Sequence, residues 1–155
     1  MPEAALLERA IALGVANVAR GGGPFGAVVA AGERIVAEGA NRVTASCDPT
    51  AHAEIVAIRE AGRALGRFSL AGLTLYASCE PCPMCLAACY WARLDRVVFA
   101  ADRFDAQEAG FDDAHIYAEL AKPAEARALP LVRRAVADRL APFTAWREAA
   151  ARTPY

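Results

Sequence analysis

The sequence predicts a three-layer α/β/α sandwich built around a mixed five-stranded sheet. Helical and extended patterns alternate along the chain, which is typical of such domains. The chain has 155 residues, a length that suits one domain. Its hydrophobic content of 56% is ample for a buried core. No repeat, low-complexity tract or linker interrupts it, so residues 1–155 are predicted to form a single domain.

The first half of the chain begins with a helix and a hairpin. Residues 3–19 have apolar side chains at helical spacing, and the Gly-Gly-Gly-Pro run at 21–24 ends that pattern. Residues 25–31 and 34–40 are β-rich runs separated by a Gly-Glu turn, which predicts a hairpin. A second helix is predicted from Asp48-Pro49-Thr50 to about residue 65, before Gly66. The apolar stripe of the first helix consists of Ala4, Leu7, Ile11, Val15 and Val18.

The second half continues the alternation of strands and helices. Strands are predicted at 73–78, 96–101 and 131–136, and helices at 81–93, 112–120 and 138–152. Pro81 suits the first turn of its helix, because proline lacks the N–H group that has no partner there.

Charge and hydropathy exclude several classes of function. The net charge of −1 provides no general basic field for nucleic acid. No apolar run approaches the roughly 20 residues needed to span a bilayer. The N-terminus has an early acid and no basic region, so we expect no signal peptide and a cytoplasmic protein.

The cysteines indicate a metal site more than disulfide bonds. Four of the five, Cys79, Cys82, Cys85 and Cys89, lie within eleven residues, which is too local for a disulfide framework. Cys89, Cys79 and Cys47 are predicted to be buried thiols without a metal.

Two short motifs supply the chemistry. His52-Ala53-Glu54 offers an imidazole and a carboxylate, and Pro81-Cys82-Pro83-Met84-Cys85 offers two thiolates. Three such ligands leave a catalytic zinc ion one position for water. The carboxylate of Glu54 is then available to move protons to and from that water. The combination is the signature of zinc-dependent nucleobase deaminases.

Two other metal sites fit part of this pattern. The spacing Cys79-x2-Cys82-x2-Cys85-x3-Cys89 is that of a bacterial iron–sulfur run, but Tyr90 stands where that run has proline. An iron–sulfur cluster also leaves His52 and Glu54 unexplained. A structural zinc site would need Cys79 or Cys89 as a fourth ligand, and it would have no use for Glu54.

The chain resembles the cytidine-deaminase-like superfamily and, within it, the bacterial guanine deaminases. The resemblance covers nearly the whole chain. The segments that carry it are Gly22–Val28, Asp48–Glu54, Ser78–Cys85, Tyr90–Arg93, Ala109–Asp113, Pro142-Phe143, Trp146-Arg147 and the terminal Tyr155.

The resemblance implies roles for residues outside the zinc motifs. Asn41 would hydrogen-bond the substrate ring, and Phe25 and Trp91 would line the slot for the base. Asp113 would read the guanine edge beside the catalytic Glu54, and Asp112 is the alternative reader.

The resemblance also implies a zinc-dependent homodimer with exchanged C-terminal segments. Tyr155 would then close an active site, whose substrate would be a small nucleobase. Ala87 and Cys47 depart from the family pattern, which leaves open cytosine, cytidine, ammeline or another triazine as substrate.

Two residue assignments and two other functions complete these expectations. Glu80 is predicted to be a structural hydrogen-bond partner, and His115 a surface histidine. A tRNA adenosine deaminase would use the same zinc motifs. The acidic segment 102–120 disfavours phosphate binding, although the tail from residue 121 is mildly basic. A non-enzymatic metal-binding module would not need Glu54.

Overall fold

The computed structural model describes residues 2–155, so Met1, the first residue of the predicted domain, lies outside the described part. The chain divides into two compact units, one reaching Tyr117 and one comprising Ala118–Tyr155. The helices and strands are α1 (Pro2–Val18), β1 (Gly26–Ala31), β2 (Arg34–Ala40), α2 (Val43–Ser46), α3 (Ala53–Leu65), β3 (Thr74–Cys79), α4 (Pro83–Trp91), β4 (Arg96–Ala101), α5 (Arg103–Glu108), α6 (Asp113–Ala121) and α7 (Ala141–Glu148). A 3-10 turn covers Ala124–Ala126.

The first unit contains a mixed four-stranded sheet in the order β2-β1-β3-β4. Strand β1 pairs antiparallel with both β2 and β3, whereas β3 and β4 are parallel. Helix α4 makes the crossover between the two parallel strands, as parallel pairing requires. The mixed α/β prediction is therefore confirmed.

Successive side chains of β1 point to opposite faces of the sheet and are buried on both. Helices cover each face. Val28 and Tyr76 pack with Leu6 and Ala10 of α1. The opposite face packs against α3 and α4 in a larger cluster. That cluster contains Ala27, Val29, Ala53, Ala57, Ala61, Leu70, Leu73, Leu75, Ala77, Cys89 and Ala92. These two cores produce the three layers that the sequence predicts.

The predicted fifth strand is wrong in this structure. Residues 131–136 have no secondary structure and are exposed throughout. A strand is stable only when a neighbouring strand satisfies its backbone groups. The described second unit contains no other strand, so residues 131–136 have no strand to pair with inside it.

The sequence also predicts the wrong buried face for α1. The buried positions are Leu6, Ala10, Gly14 and Asn17, whereas the larger predicted side chains Ile11, Val15 and Val18 are exposed. The backbone of α1 lies so close to the backbone of residues 24–26 that it determines which face of the helix is buried. A Cβ atom on Gly14 would lie 2.7 Å from the carbonyl oxygen of Pro24, and one on Gly26 would collide with the carbonyl oxygen of Ala10. Apart from Leu6, the buried positions are therefore small residues and Asn17, whereas Ile11, Val15 and Val18 point away from the sheet.

A further close approach positions the helix that follows His52. Gly39 of β2 lies so near α3 that a Cβ atom there would lie 2.6 Å from the backbone nitrogen of Ala57 and would clash with the carbonyl oxygen of Ala53. Helix α3 can therefore pack directly on the β2 backbone, and this contact sets the position of its first turn.

Candidate metal centre and adjoining cavity

The two zinc motifs lie at the starts of two helices. His52 is the N-cap residue of α3, and Cys82 is the N-cap residue of α4. Both have extended backbone conformations, which are typical of N-caps, and Pro83 pre-sets the first turn of α4. Cys85 follows three residues after Cys82, so the two thiols share one face of the helix end.

The three predicted ligand atoms converge. The Nδ1 atom of His52 is 3.6 Å from the Sγ atom of Cys82 and 3.5 Å from the Sγ atom of Cys85. All three atoms lie within 4.8 Å of one another. Tetrahedral zinc, with bonds of about 2.3 Å to sulfur and about 2.0–2.1 Å to nitrogen, places such N and S ligands about 3.6 Å apart. The donor set therefore fits zinc in both chemistry and spacing.

The hydrogen bonds within this group favour a thiolate at Cys82. The Cys85 thiol and the His52 imidazole hydrogen-bond to Cys82 and hold the pKa of the Cys82 thiol well below its ordinary value. The same contact with Cys82 raises the pKa of His52. Cys82 is therefore the first thiolate of the site, and a thiolate is the form that binds a metal.

Glu54 lies in the first turn of α3 and is 8% exposed. Burial raises the pKa of its carboxyl to about 7, and the neighbouring Cys82 thiolate adds to this rise. A carboxyl whose pKa lies near neutral pH can both accept and release protons under working conditions. It is not one of the three converging ligands.

A cavity of about 230 Å³ opens beside these residues. Its walls combine aromatic, aliphatic and acidic side chains, and no lysine or arginine is among them. The lining residues are Gly23, Phe25, Asn41, Val43, Thr44, Pro49, His52, Glu54, Glu80, Cys82, Phe111 and Asp113. This volume is below the range of about 300–1,000 Å³ that is usual for drug-sized ligands, so it suits a small planar molecule.

Three of the predicted substrate residues line this cavity. The Phe25 ring packs edge-on against Phe111, with 4.7 Å between the ring centroids. Asn41 is buried, and its Oδ1 atom accepts a hydrogen bond from the backbone N–H of Val43. Asp113 is half-buried, and burial raises the pKa of its carboxyl.

Three other predicted substrate residues lie elsewhere. Asp112 is exposed and is not one of the cavity-lining residues. Trp91 ends α4 with 63% of its surface exposed, and the Arg93 guanidinium lies 5.9 Å from its ring. Tyr155 belongs to the second unit, where its ring packs edge-on against Trp146. The cavity therefore brings together Phe25, Asn41 and Asp113 from the predicted set.

The cysteines outside the ligand set differ in their surroundings. Cys79 and Cys89 are buried, as predicted, and burial raises the pKa of each thiol to about 12. Neither joins the converging group found among residues 2–155. The expectation that Cys47 is buried is wrong, because it lies exposed at the end of the short helix α2 in a left-handed conformation.

Two assignments of polar residues are confirmed. His115 is exposed on α6. Glu80 accepts hydrogen bonds from Arg103, whose guanidinium holds the pKa of that carboxyl below its usual range. Because Arg103 binds both carboxylate oxygens, Glu80 is neutralised by an ion pair although it lines the cavity.

Sequence reasoning missed Asn17, which supports the cavity wall. Its Nδ2 group donates to the carbonyl oxygens of Gly23 and Asn41, each at 2.8 Å. Both acceptors belong to cavity-lining residues. The sequence carried no signal for this role, because the burial of Asn17 follows from the close contacts of Gly14 and Gly26. A buried amide needs hydrogen-bond partners, and Asn17 finds them in these two carbonyl groups.

Comparison with known proteins agrees with this geometry. The chain belongs to the cytidine and deoxycytidylate deaminase zinc-binding family, whose model matches residues 2–101. The resemblance seen in the motifs is therefore confirmed, and the site belongs to a family of zinc-dependent deaminases.

Individual proteins give a more specific comparison than the family model does. The chain is 53% identical to guanine deaminase of Bacillus subtilis (strain 168) over 150 residues, 96% of each sequence. It superimposes on an X-ray structure of guanine deaminase from Bacillus subtilis with a TM-score of 0.93 and 52% identity, covering 97% of each chain. A tRNA-specific adenosine deaminase of Buchnera aphidicola is 42% identical over 88 residues, 57% of this chain and 58% of that protein.

Replacement of one cysteine ligand tests which cysteines of this helix bind the metal. We expect Cys85→Ser to lower bound zinc from about one ion per chain to a small fraction, because a hydroxyl is a poor substitute for a thiolate. Cys89→Ser is the matched control, since Cys89 is a buried cysteine of the same helix outside the ligand group. Elemental analysis of purified protein measures both. Equal zinc loss in the two variants would contradict this ligand set.

Proposed function

We propose that the protein hydrolyses guanine to xanthine and ammonia with zinc held by His52, Cys82 and Cys85. The observation that carries this proposal is the buried Glu54 carboxyl beside three converging zinc ligands and a small acidic cavity. The similarity to guanine deaminase over 96% of both sequences supports guanine as the substrate.

The cavity offers hydrogen-bond groups that complement guanine. The base presents acceptors at O6 and N7. Because Oδ1 of Asn41 already accepts from Val43, the Nδ2 end of that amide is the donor for these acceptors. The Asp113 carboxylate accepts N–H groups on the opposite edge of the base. Phe25 and Phe111 provide apolar surface for the ring.

Glu54 moves the protons of the reaction. His52, Cys82 and Cys85 would hold the zinc ion, which would supply the Lewis acidity that lowers the pKa of a water molecule to about 7, and we propose this water as the fourth ligand. The water oxygen forms a bond to C2 of guanine. Glu54 takes one water proton and delivers it to the ring nitrogen N3, then carries the second to the exocyclic amine. The C2–N bond breaks, ammonia leaves, and C2 becomes the carbonyl carbon of xanthine.

The acidic cavity favours a free base over a nucleotide or RNA. Glu54, Glu80 and Asp113 line it, and its wall contains no lysine or arginine. Phosphate recognition relies on such basic side chains. The Glu54 and Asp113 carboxylates would repel a phosphate group but tolerate a neutral base, whereas the charge of Glu80 is balanced by Arg103. The thiolate ligands need a reducing compartment, so we place the reaction in the cytoplasm.

Replacement of Glu54 tests the proton transfer. We expect Glu54→Gln to lower kcat on guanine by about 10²–10⁴-fold, because an amide cannot shuttle protons, with zinc content unchanged. The decrease of guanine absorbance in the ultraviolet and the release of ammonia measure the reaction. Glu60→Gln is the control, since Glu60 is an exposed glutamate of the same helix.

Two outcomes would contradict the proposal separately. An active Glu54→Gln variant would contradict the shuttle. A wild-type protein that is inactive on guanine but rapid on cytosine, cytidine, ammeline or adenosine in tRNA would contradict the substrate.

We further propose that two copies of the chain form a dimer by exchanging their second units. The C-terminal unit has no buried residue and so has no core of its own. Leu129, Leu131 and Tyr155 are 81%, 79% and 74% exposed. Apolar side chains at this density normally mark an interface. In such a dimer Tyr155 covers the base in the site of the partner.

Mixing two inactive variants tests this exchange. One chain carries Glu54→Gln and the other lacks Tyr155. In an exchanged dimer that contains one chain of each kind, one of the two sites combines an intact Glu54 from one chain with an intact Tyr155 from the other. Random mixing should therefore restore about a quarter of the wild-type activity, because half of the dimers are hybrids with one complete site. A monomer in sedimentation analysis, or a mixture without recovered activity, would contradict the exchange.

A further inference from the structure

A closed set of polar contacts surrounds the two residues before the ligand Cys82. The Glu80 carboxylate accepts the backbone N–H of Arg103 at 3.0 Å, its Nε at 3.1 Å and its Nη2 at 2.7 Å. The Glu80 side chain is only 16% exposed, so its carboxylate is largely shielded from water. Three hydrogen bonds to one carboxylate fix Glu80 firmly to the start of α5.

Tyr117 completes this set of contacts. Its phenolic O–H donates to the carbonyl oxygen of Pro81 at 2.7 Å. The Arg103 guanidinium lies over its ring, 3.7 Å from the ring centroid. Side chains of α5 and α6 thus hold both Glu80 and Pro81, and these two residues lead directly into Cys82.

The position of Tyr117 on α6 gives these contacts a consequence for the cavity. Helix α6 begins at Asp113, four residues before Tyr117. Residues four apart lie on the same face of a helix. A bond that holds Tyr117 to Pro81 therefore also sets how far the Asp113 carboxylate lies from the loop that carries Cys82.

We propose that Tyr117 is a positioning residue that places Asp113 relative to the zinc-ligand loop through its hydrogen bond to Pro81. This inference rests on the proposed function, in which Asp113 accepts N–H groups of the base. Tyr117 itself touches neither substrate nor metal in this account. Its hydroxyl couples the part of the site that recognises the base to the part that holds the metal.

A double-mutant cycle tests this coupling. Tyr117→Phe keeps the ring beneath Arg103 and removes only the hydroxyl. We expect kcat/KM for guanine to fall by roughly 10–100-fold, since small displacements of a substrate-contacting group are costly. Asp113→Ala should lower it further. The double variant should match Asp113→Ala alone, because Tyr117 acts through Asp113. Additive losses would overturn the proposal.

Hydrogen exchange provides a readout that does not depend on activity. In zinc-loaded protein, Tyr117→Phe should accelerate exchange at the amides of the first turns of α6, such as Ile116, which donates to the Asp112 carbonyl. Amides of α3 should not change, and zinc content should stay at the wild-type value. Tyr90→Phe, which alters a 70% exposed tyrosine of α4, is the control. Unchanged exchange in α6 would overturn the proposal.

These measurements distinguish a failure of the proposed function from a failure of the positioning role of Tyr117. If wild-type protein does not act on guanine, the proposed function fails, and the exchange rates together with a cycle on the true amino-heterocycle decide the role of Tyr117. If guanine is turned over but the cycle is additive, only the positioning role fails.

Discussion

Three soft ligands must come from two separate helix starts and meet within bonding distance of one ion, and the rest of the structure depends on this requirement. His52 approaches from α3, and the two cysteines approach from α4. Their ligand atoms are held together by the packing of both helices on one face of the sheet. The absence of a side chain at Gly39 lets α3 lie directly against β2. A fold that moved either helix by a few ångströms would lose the site, because zinc–ligand distances tolerate little variation.

The electrostatics of the cavity follow from the same packing. Burial of Glu54 in the first turn of α3 raises its pKa towards neutrality, which is the range in which a proton carrier is most effective. Glu80 is a carboxylate at the same cavity, but its pair with Arg103 keeps it ionised and fixed. Two glutamates that line one small space therefore have different properties, since one is desolvated and the other is paired.

The sequence was sufficient for the metal ligands, because the chemistry of zinc restricts both residue type and spacing. It was also sufficient for the strand order through β4 and for the longer helices α1, α3 and α4, where alternating patterns and Gly or Pro breaks agree, but it did not indicate the short helices α2 and α5. It was insufficient for α1, because the tight contacts of Gly14 and Gly26 select small residues for the buried face. Residues 131–136 have a strand pattern but no partner strand inside their unit. Asn17 and Tyr117 act through contacts with residues distant in sequence, and no local pattern indicates such contacts.

X-ray absorption at the zinc edge of the purified protein distinguishes a catalytic zinc site from a structural one. We expect two sulfur ligands at about 2.3 Å, one imidazole nitrogen at about 2.0–2.1 Å and one further light-atom ligand that a guanine analogue perturbs. Three or four sulfur ligands would contradict this expectation, because Cys79 or Cys89 would then close the coordination sphere. Such a site would be structural, and the position beside Glu54 would have no reactive water.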